Sequence, residues 1–415
     1  MNNWAIKQPH SLFITYNGAL EPLIQSQGIP YLRGLAEKGI KVSLLSYEKR
    51  EYRRQKQEIT RLEAELSRYG MKWYRLPYLA ASPVAAIVSI VWGIFYSFYL
   101  VLTRRIGIVH ARGYYPATMG FVLKLILRVR FIFDMRGFLA DEYVDGNIIR
   151  ENGIIFKLMK MMEKRLILSA DEVVVLTEKA AEIVRDLPYV RGRKLSITVI
   201  PCCADLNKFR LIPAERRGEL LKEYRLEDRF ILLYAGSIGT WYKLGEMIDF
   251  FLALKQRVPK AHFLLLSNSE HNQIFEAMAG RHVNQEDFTI MKVPLDKVAD
   301  FTSIAHSGVC LIKPTFSKKA SSPTKVAECL ACGRPIVINS GIGDSEQIID
   351  GNRVGVVLNS FDQKAYNRAI GELLELIGEG DKLSKRCRET AKNSFSLNYG
   401  VGKYWEVYGR LLRSL

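Results

Sequence analysis

The segment Ser321–Ile338, SSPTKVAECLACGRPIVI, has the residue types and spacing of an anion site at the start of a helix. We expect Ser322 to cap the helix and Pro323 to take its first position, where proline is tolerated. The free N–H groups of the first turn, the helix dipole and the charge of Lys325 suit a diphosphate. Glu328, one turn further on, is placed to accept two ribose hydroxyls. The alternative is an ordinary capped helix. Seven residues form this predicted site: Ser321, Ser322, Pro323, Thr324, Lys325, Val326 and Glu328.

The segment Tyr234–Phe250, YAGSIGTWYKLGEMIDF, predicts a strand that ends in Gly236, a short loop and then a helix. Small residues let a backbone approach a phosphate closely, and Lys243 supplies a neutralising charge. A glycine pair alone is equally typical of a plain turn. Placed opposite the first segment on one sheet, the loop predicts a second part of the same phosphate site.

The first strand of the chain, SLFITYN, ends in Asn17 and Gly18. The glycine again permits close approach, and the uncharged amides of Gln25 and Gln27 suit sugar hydroxyls. The alternative is an ordinary turn between a strand and a helix.

Two further strands of the N-terminal half end in polar side chains. His110 and Arg112 close IGIVHAR, and Arg136 closes FIFDMRG. An arginine beside a phosphate cleft is a natural partner for phosphate. Glu142 lies in an acidic stretch just beyond, which is either part of the site or a solvated loop.

Strand-like and helix-like segments alternate along the whole chain, and this rhythm is typical of parallel sheets covered by helices on both faces. Thr198–Pro213 interrupts the rhythm with two prolines and predicts a linker, after which a second series of strands begins. We therefore expect an α/β protein of two doubly wound Rossmann-like domains facing across a cleft. Their bounds are 1–205, completed by a helix at 398–415, and 206–397. Ligands of such sheets bind beyond the carboxyl ends of the strands.

The 415 residues carry a formal net charge of +17, and residues 1–205 hold 30 Lys and Arg against 19 Asp and Glu. This excess predicts an anionic partner. Val84–Leu102 is a run of 19 uncharged residues that approaches the length of a membrane span. Its aromatic content favours a buried or membrane-surface helix instead. The charged segment Glu48–Tyr69 predicts a solvated helix, and Met1–His10 lacks the pattern of a signal peptide.

These segments together resemble a GT-B glycosyltransferase of glycosyltransferase family four. The likeness covers NGALEPLIQSQGIPYLRGLAEKG, IVHARGYY, EKRLILSADEVVVLTEKAAE, VIPCCADLNKF, SPTKVAECLACGRPIV and FSLNYGVGKYWEVYGRLL. The resemblance implies that the amides of Ser322–Val326 hold the donor diphosphate and that Glu328 holds the ribose. It also implies that Gly236 and Lys243 approach the phosphates and that His110 lines the donor sugar pocket.

Two positions depart from the family pattern. The first of the family's two donor-site glutamates is replaced by Ala320, and the arginine after the phosphate-loop glycine is replaced by Ser237. No Asp-x-Asp pair occurs, so a metal-bridged diphosphate has no obvious clamp.

The resemblance therefore implies a retaining, metal-independent hexosyltransferase without a cofactor, using a nucleotide-diphosphate sugar and a lipid-linked or glycan acceptor in cell-surface polysaccharide synthesis. We expect it at the inner face of the cell membrane, bound to anionic lipid and not to nucleic acid. The alternatives are a GT-B sugar-nucleotide epimerase and a non-catalytic sugar-nucleotide-binding subunit. The catalytic candidates are His110, Lys243, Lys325 and Glu328. The donor-side candidates are Gly18, Gly236, Ser237, Ser321, Ser322, Pro323, Thr324 and Val326. The acceptor-side candidates are Gln25, Gln27, Arg112, Arg136 and Glu142.

Overall fold

The computed structural model describes residues 9–79, 82–268 and 272–413 of the chain. The chain divides into two compact units. Unit 1 runs to Ile200 and takes back the last helix from Gly400 onward, and unit 2 is Pro201–Tyr399. Most of Met1–His10, where the absence of a signal peptide is predicted, lies outside the described residues, as do the last two residues of the helix expected at 398–415.

Each unit contains one parallel sheet, as the alternating pattern predicts. In unit 1 the strand order is β3-β2-β1-β4-β5-β6-β7, and in unit 2 it is β10-β9-β8-β11-β12-β13. The strands of unit 1 are His10–Thr15 (β1), Lys41–Glu48 (β2), Lys72–Pro77 (β3), Ile108–Arg112 (β4), Arg130–Asp134 (β5), Glu172–Val175 (β6) and Ile197–Val199 (β7). Those of unit 2 are Phe230–Ala235 (β8), Ala261–Leu266 (β9), Phe288–Met291 (β10), Ser307–Cys310 (β11), Ile336–Asn339 (β12) and Gly355–Leu358 (β13).

Helices connect the strands and cover the sheets. The first nine are Pro22–Gln27 (α1), Ile29–Glu37 (α2), Arg50–Arg53 (α3), Lys56–Arg68 (α4), Pro83–Arg104 (α5), Tyr114–Leu127 (α6), Leu139–Asp145 (α7), Ile154–Ser169 (α8) and Glu178–Asp186 (α9). The next eight are Ala214–Glu223 (α10), Leu244–Arg257 (α11), Asn272–Met278 (α12), Val298–Ile304 (α13), Thr324–Ala331 (α14), Ser345–Gly351 (α15), Gln363–Gly378 (α16) and Asp381–Ser394 (α17). The last is Leu397–Arg413 (α18), and two 3-10 turns lie at Gln285–Asp287 and Phe316–Ala320.

The strand order fixes where ligands can reach each sheet. All strands run parallel, but the order in which successive strands are added to the sheet reverses between β1 and β4 in unit 1 and between β8 and β11 in unit 2. At such a switch point the connections leave in opposite directions, which opens a crevice at the carboxyl ends of the two strands. A ligand-binding site is therefore expected at the loops that follow these four strands.

From its composition we expected the charged segment Glu48–Tyr69 to form one helix, but the structure shows otherwise. Glu48 ends strand β2 and is buried, and the remainder forms the two helices α3 and α4. The two edge strands β3 and β7 were also missed, because neither is a long apolar run.

The apolar run Val84–Leu102 lies within helix α5, which spans 22 residues. By length and composition Val84–Arg104 is the one described helix that is long and apolar enough to cross a membrane. However, β3 and β4 flank it in the sequence and belong to the same sheet, so the helix lies along unit 1. Leu100 and Val101 pack into the core, whereas Trp92 and Phe95 on another face are 60% and 69% exposed.

Candidate functional site

The ammonium of Lys325 lies at the switch point of the unit 2 sheet, beside the loop that follows β8. Its Nζ atom is 2.9 Å from the hydroxyl of Tyr242 and 5.1 Å from the ring centroid of Tyr234. A Cβ atom placed on Gly236 would lie 2.6 Å from the same ammonium, and the φ of +145° at this residue also favours glycine. Gly236 and Lys325 thus meet although they lie far apart in the sequence, and the close approach of the ammonium favours glycine at this position.

Lys325 is 8% exposed, and its surroundings stabilise the charge. Burial alone lowers the pKa of an ammonium, but the phenol groups of Tyr234 and Tyr242 outweigh this effect and raise the pKa of Lys325. The faces of both rings also attract the cation. The raised pKa favours the charged ammonium at the start of α14, where helix N–H groups lack intrahelical partners.

The start of α14 differs from our expectation in one respect. Pro323 occupies the N-cap position and Thr324 is the first helical residue, and no side chain caps the helix. The hydroxyl of Ser322 accepts a hydrogen bond of 3.1 Å from the backbone N–H of Cys202 instead. The prediction that Ser322 caps α14 is therefore wrong, because the segment after β7 supplies a backbone donor for this hydroxyl. Thr324 is partly exposed, and Val326 is buried.

Glu328 lies one turn into α14, as expected, and is partly buried. Burial raises the pKa of its carboxyl group, and the charges of Lys325 and Lys208 oppose this shift. No hydrogen bond or ion pair to this carboxylate is found among the described residues. Such a group has acceptor capacity to offer a ligand.

Lys243 and Ser237, which we also predicted at the phosphate site, have other partners in this structure. The ammonium of Lys243 pairs with Glu246 and lies 4.9 Å from the ring centroid of Phe361. Ser237 is exposed, and its carbonyl group accepts a hydrogen bond of 2.6 Å from Tyr234. Lys325 is thus the cation that the structure brings against Gly236.

Sequence reasoning missed a second buried lysine in unit 2. Lys318, in the 3-10 turn Phe316–Ala320, is 5% exposed, and its ammonium lies 3.8 Å from the ring centroid of Trp241. Backbone hydrogen bonds from Lys313 to Trp241 and from Lys243 to Leu311 join the same loop to the segment after β11. Ala320 is buried at the end of this turn, and Ser321 follows it. Lys318 and Lys319 are visible in the sequence between a predicted strand and a predicted helix. No sequence pattern, however, indicates that the ammonium of Lys318 contacts the ring of Trp241.

His110 lies inside unit 1 and is 1% exposed. Its Nδ1 atom is 3.1 Å from the hydroxyl of Tyr408, and its Nε2 atom is 3.7 Å from Oδ2 of Asp134. Burial lowers the pKa of His110, although Asp134 opposes the shift. We expected this imidazole to line a sugar pocket, but in this structure strands and helix α18 enclose it.

Asp134 joins the predicted arginines of unit 1 into one cluster. The carboxylate lies 3.5 Å from Arg112 and 3.6 Å from Arg136, and it accepts a hydrogen bond of 3.1 Å from Tyr404. Burial raises the pKa of a carboxyl group, but Arg136, His110 and Arg112 outweigh this and hold the pKa of Asp134 well below its usual value. Asp134 therefore stays ionised and fixes both guanidinium groups.

Arg136 adopts φ of +61°, in the left-handed region that non-glycine residues rarely enter. Strained backbone of this kind is concentrated at functional sites. Glu142 lies on helix α7, so the acidic stretch is not a solvated loop, and Asp141 beside it pairs with Lys160.

The predicted sugar-binding amides of unit 1 serve the loop itself. Gln25 donates a hydrogen bond of 2.6 Å to the carbonyl group of Ala19. Gln27 is 3% exposed and accepts a hydrogen bond of 3.3 Å from Tyr31. Gly18 is buried, and its N–H donates to Glu21 at 2.8 Å. The structure therefore does not present Gln27 or the Gly18 amide on an open surface.

The six cysteines are buried and form no disulfide. Burial raises the pKa of Cys332 to about 12, so this thiol stays protonated. Within the described ranges, no group of three or more His, Cys, Asp or Glu side chains is placed to hold a metal ion.

Similar proteins match this chain over both units. Residues 31–203 match the model of the "Glycosyl transferase 4-like domain", and residues 217–394 match that of "Glycosyl transferases group 1". The alpha-D-kanosaminyltransferase of Streptomyces kanamyceticus is 24% identical over 261 residues, which is 62% of this chain and 64% of that protein. This chain thus matches somewhat less than two thirds of that relative's length.

Solved structures with the same fold cover nearly the whole chain. A glycosyltransferase from Rickettsia africae has a TM-score of 0.75 at 15% identity, covering 99% of this chain and 100% of that one. Sucrose-phosphate synthase from Thermosynechococcus elongatus has a TM-score of 0.73 at 16% identity, covering 98% and 100%. HepE from Anabaena, solved with UDP and glucose, has a TM-score of 0.68 at 12% identity, covering 96% and 99%. The fold is GT-B, as predicted, and the chain belongs to the family-four type of GT-B glycosyltransferases.

Proposed function

We propose that this protein transfers a sugar from a nucleotide-diphosphate donor to an acceptor with retention of configuration and without a metal ion. The observation that carries the proposal is the ammonium of Lys325, held against Gly236 at the start of α14. Loss of the nucleotide diphosphate places negative charge on the leaving oxygens, and fixed positive groups at that point stabilise the transition state. Lys325 and the first N–H groups of α14 would supply them.

In this proposal the residues of unit 2 bind and orient the donor. Glu328 accepts the two ribose hydroxyls, for which its carboxylate has free acceptor capacity. The bond between the anomeric carbon and the leaving oxygen breaks as the acceptor hydroxyl attacks from the same side. A phosphate oxygen of the donor takes the proton of that hydroxyl, so the protein needs no strong nucleophile.

The acceptor we propose is a lipid-linked glycan of surface polysaccharide synthesis, and the transferred sugar is a hexose. Support comes from an exposed apolar surface on unit 1, formed by α5, α6 and α8. Helix α5 contributes side chains at helical spacing, and the other two extend the surface because α6 packs against both. Its members are Val84, Ile87, Val88, Val91, Trp92, Phe95, Tyr99, Leu102, Leu125, Ile126, Ile154, Ile155 and Leu158, which are 46% to 79% exposed.

Basic residues accompany this apolar surface. Arg104 and Arg105 follow the apolar part of α5, Arg128 follows α6, and Lys157 and Arg165 lie on α8. Apolar side chains with a basic border suit the interface of an anionic membrane. We therefore place the protein at the inner face of the cell membrane, where a lipid-linked acceptor would be presented.

A screen of nucleotide diphosphates tests the proposed reaction. UDP is the first probe, since HepE from Anabaena was solved with UDP, followed by GDP, ADP and dTDP. We expect one of them to raise the melting temperature, and its sugar conjugates to support transfer to membrane-extracted acceptors. The proton coupling of the new anomeric centre in NMR then gives the configuration.

Each other outcome points to a different activity. Binding without transfer supports a non-catalytic sugar-nucleotide-binding subunit, for which the replacement of a donor-site glutamate by the buried Ala320 is the relevant observation. Conversion of the sugar nucleotide without any acceptor supports an epimerase. An inverted anomeric centre contradicts the retaining mechanism.

A further inference from the structure

The loop Asn17–Glu21 follows strand β1, at the switch point of the unit 1 sheet. Its backbone is held on several sides: the N–H of Gly18 donates to Glu21, the N–H of Ala19 donates to Glu48 at 2.7 Å, and the carbonyl group of Ala19 accepts from Gln25. The backbone groups of Gly18 and Ala19 are thus occupied by their own chain. This loop offers its shape to a ligand, not free amides.

Of the residues that hold this loop, Glu48 is the one that lies farthest from it in the sequence. It ends the neighbouring strand β2 and is 1% exposed. Its Oε1 atom also accepts a hydrogen bond of 2.7 Å from Ser46, whose hydroxyl in turn accepts one of 2.7 Å from the indole of Trp73 on β3. The carboxyl group is therefore fixed by two strands before it contacts the loop.

The second carboxyl oxygen of Glu48, Oε2, accounts for the presence of glycine at position 18. A Cβ atom on Gly18 would lie only 2.6 Å from Oε2 of Glu48. Gly18 is not among the residues with positive φ, so its backbone would admit another residue. The next atom from another residue, Oε1 of Glu21, lies at 3.4 Å, an ordinary contact. The close approach of the Glu48 carboxyl group therefore favours glycine at this position.

Burying this carboxyl group has a cost. Oε2 is inaccessible to solvent and has no hydrogen-bond donor among the described residues. Burial raises the pKa of Glu48; hydrogen bonds from Ser46 and Ala19 oppose the shift, and the charge of Glu21 adds to it. A buried polar group that costs stability is typical of positions where the fold serves function.

We infer that Glu48 is a positioning residue, which holds the Asn17–Glu21 loop in the place that sugar transfer requires. This inference rests on the proposed transferase function. It assigns the role of Gly18 to the fit between loop and carboxyl group. It also predicts that Gly18 and Glu48 are energetically coupled, because each determines what the other position accepts.

A double-mutant cycle in the full chain tests this coupling. The variants are Gly18→Ala, Glu48→Ala and the double variant, with Glu48→Gln as the conservative change. We expect Gly18→Ala and Glu48→Ala each to lower kcat at least about tenfold, because misplaced positioning groups act mainly on the oriented reaction step. In the Glu48→Ala background, Gly18→Ala should lower kcat less than about threefold further, since the Cβ atom then has room. Glu48→Gln keeps an acceptor for Ala19 and should stay within about threefold of wild type.

A matched control separates positioning from general stability. Glu172 is also a 1% exposed carboxylate of the same sheet, but it begins β6, beside the edge strand β7 on the other side of the sheet, and accepts hydrogen bonds from Ser196, Thr198 and Arg410. Glu172→Gln should lower the melting temperature and leave kcat within about twofold at a temperature where the variant is folded. The affinity for the nucleotide diphosphate should be unchanged in all variants, because its proposed site lies in unit 2.

Two results would overturn the inference. A wild-type kcat for Glu48→Ala would show that Glu48 does not position the loop for transfer. Fully additive losses of kcat in the double variant would show that Gly18 is needed for a reason other than its contact with Glu48. Wild-type protein without any transfer contradicts the proposed function instead. Amide hydrogen exchange of the Asn17–Glu21 peptide then decides whether Glu48 holds the loop: exchange of the Ala19 amide should be at least about tenfold faster in Glu48→Ala than in Glu48→Gln.

Discussion

The ammonium of Lys325 lies 2.9 Å from the hydroxyl of Tyr242 and 4.1 Å from the centroid of the same ring. The phenol thus holds the lysine with both its oxygen and its π face. A cation fixed in this way needs no rearrangement to meet a departing diphosphate.

Replacing Lys325 should therefore impair catalysis strongly. We expect Lys325→Ala to lower kcat/KM at least about tenfold, which corresponds to about 1.4 kcal/mol. Lys243→Ala should cost less than about threefold, because that ammonium pairs with Glu246. Steady-state rates of the two variants check this. Equal losses of kcat/KM would show that Lys243 also contacts the donor phosphates.

Glu328→Gln should reduce activity and increase stability. The raised pKa means that the ionised carboxylate destabilises the folded state above its ordinary pKa of 4.5. The neutral amide removes that cost, so the variant should melt at a higher temperature at pH 7. Below about pH 4 both states of the wild type are protonated and the difference should vanish. Transfer should fall at least about tenfold, since an amide accepts ribose hydroxyls less well. A lower melting temperature at pH 7 would show that this carboxylate is already paired.

Tyr404→Phe should destabilise unit 1. The hydroxyl of Tyr404 donates to the buried, ionised Asp134, and hydrogen bonds to charged groups contribute about 1.5–3 kcal/mol. Urea unfolding should show a loss in this range. Tyr99→Phe is the control, since the side chain of Tyr99 on helix α5 of the same unit is 58% exposed. Equal losses in the two variants would show that the hydrogen bond to Asp134 does not account for the effect.

Unit 2 should lose stability as pH falls from 6.5 towards 4. Burial lowers the pKa of both His262 and His306 to about 4, and nearby cations add to the shift. Between these values the unfolded chain binds protons that the folded unit does not, so each histidine should cost up to about 2 kcal/mol at pH 5. His306→Gln should weaken this pH dependence in urea unfolding. An unchanged dependence would show that His306 titrates normally.

Two charges on α5 should abolish membrane binding. Trp92 and Phe95 are exposed on one helix, and inserting carboxylates there opposes both burial in lipid and attraction to anionic headgroups. Trp92→Asp with Phe95→Asp should lose co-sedimentation with vesicles containing phosphatidylserine. Phe275→Asp, at a 53% exposed position of unit 2, should not. Wild-type protein that does not bind at low salt would contradict the membrane proposal.

Sequence reasoning predicted that the segments around Gly236 and Lys325 in unit 2 meet, because the strands and the helix that carry them follow strong rules. The second series of strands was predicted from the sequence, since buried parallel strands are continuous apolar runs, and it forms the six-stranded sheet of unit 2. Helix α14 begins within a few residues of the predicted start. The meeting of Lys325 with Gly236 then follows from the shared carboxyl edge of β8 and β11.

The misses arose where tertiary contacts outweighed local pattern. Ser322 has the residue type of a cap, but the backbone of Cys202 binds its hydroxyl. Glu48 begins a highly charged stretch, but it is a buried strand residue whose carboxyl group accepts hydrogen bonds from Ser46 and from the loop after β1. The rings of Tyr234 and Tyr242 both face Lys325, and their spacing in the sequence does not indicate this contact.

The last helix gives the two units a fixed order of completion. Tyr404 and Tyr408 supply hydroxyls to Asp134 and His110 in the interior of unit 1, yet all of unit 2 lies between them in the chain. During synthesis the first unit therefore leaves the ribosome with an exposed polar interior, while the second emerges whole and can fold. Protection of the first 200 residues from protease in a nascent chain should appear only after residues 400–413 have emerged.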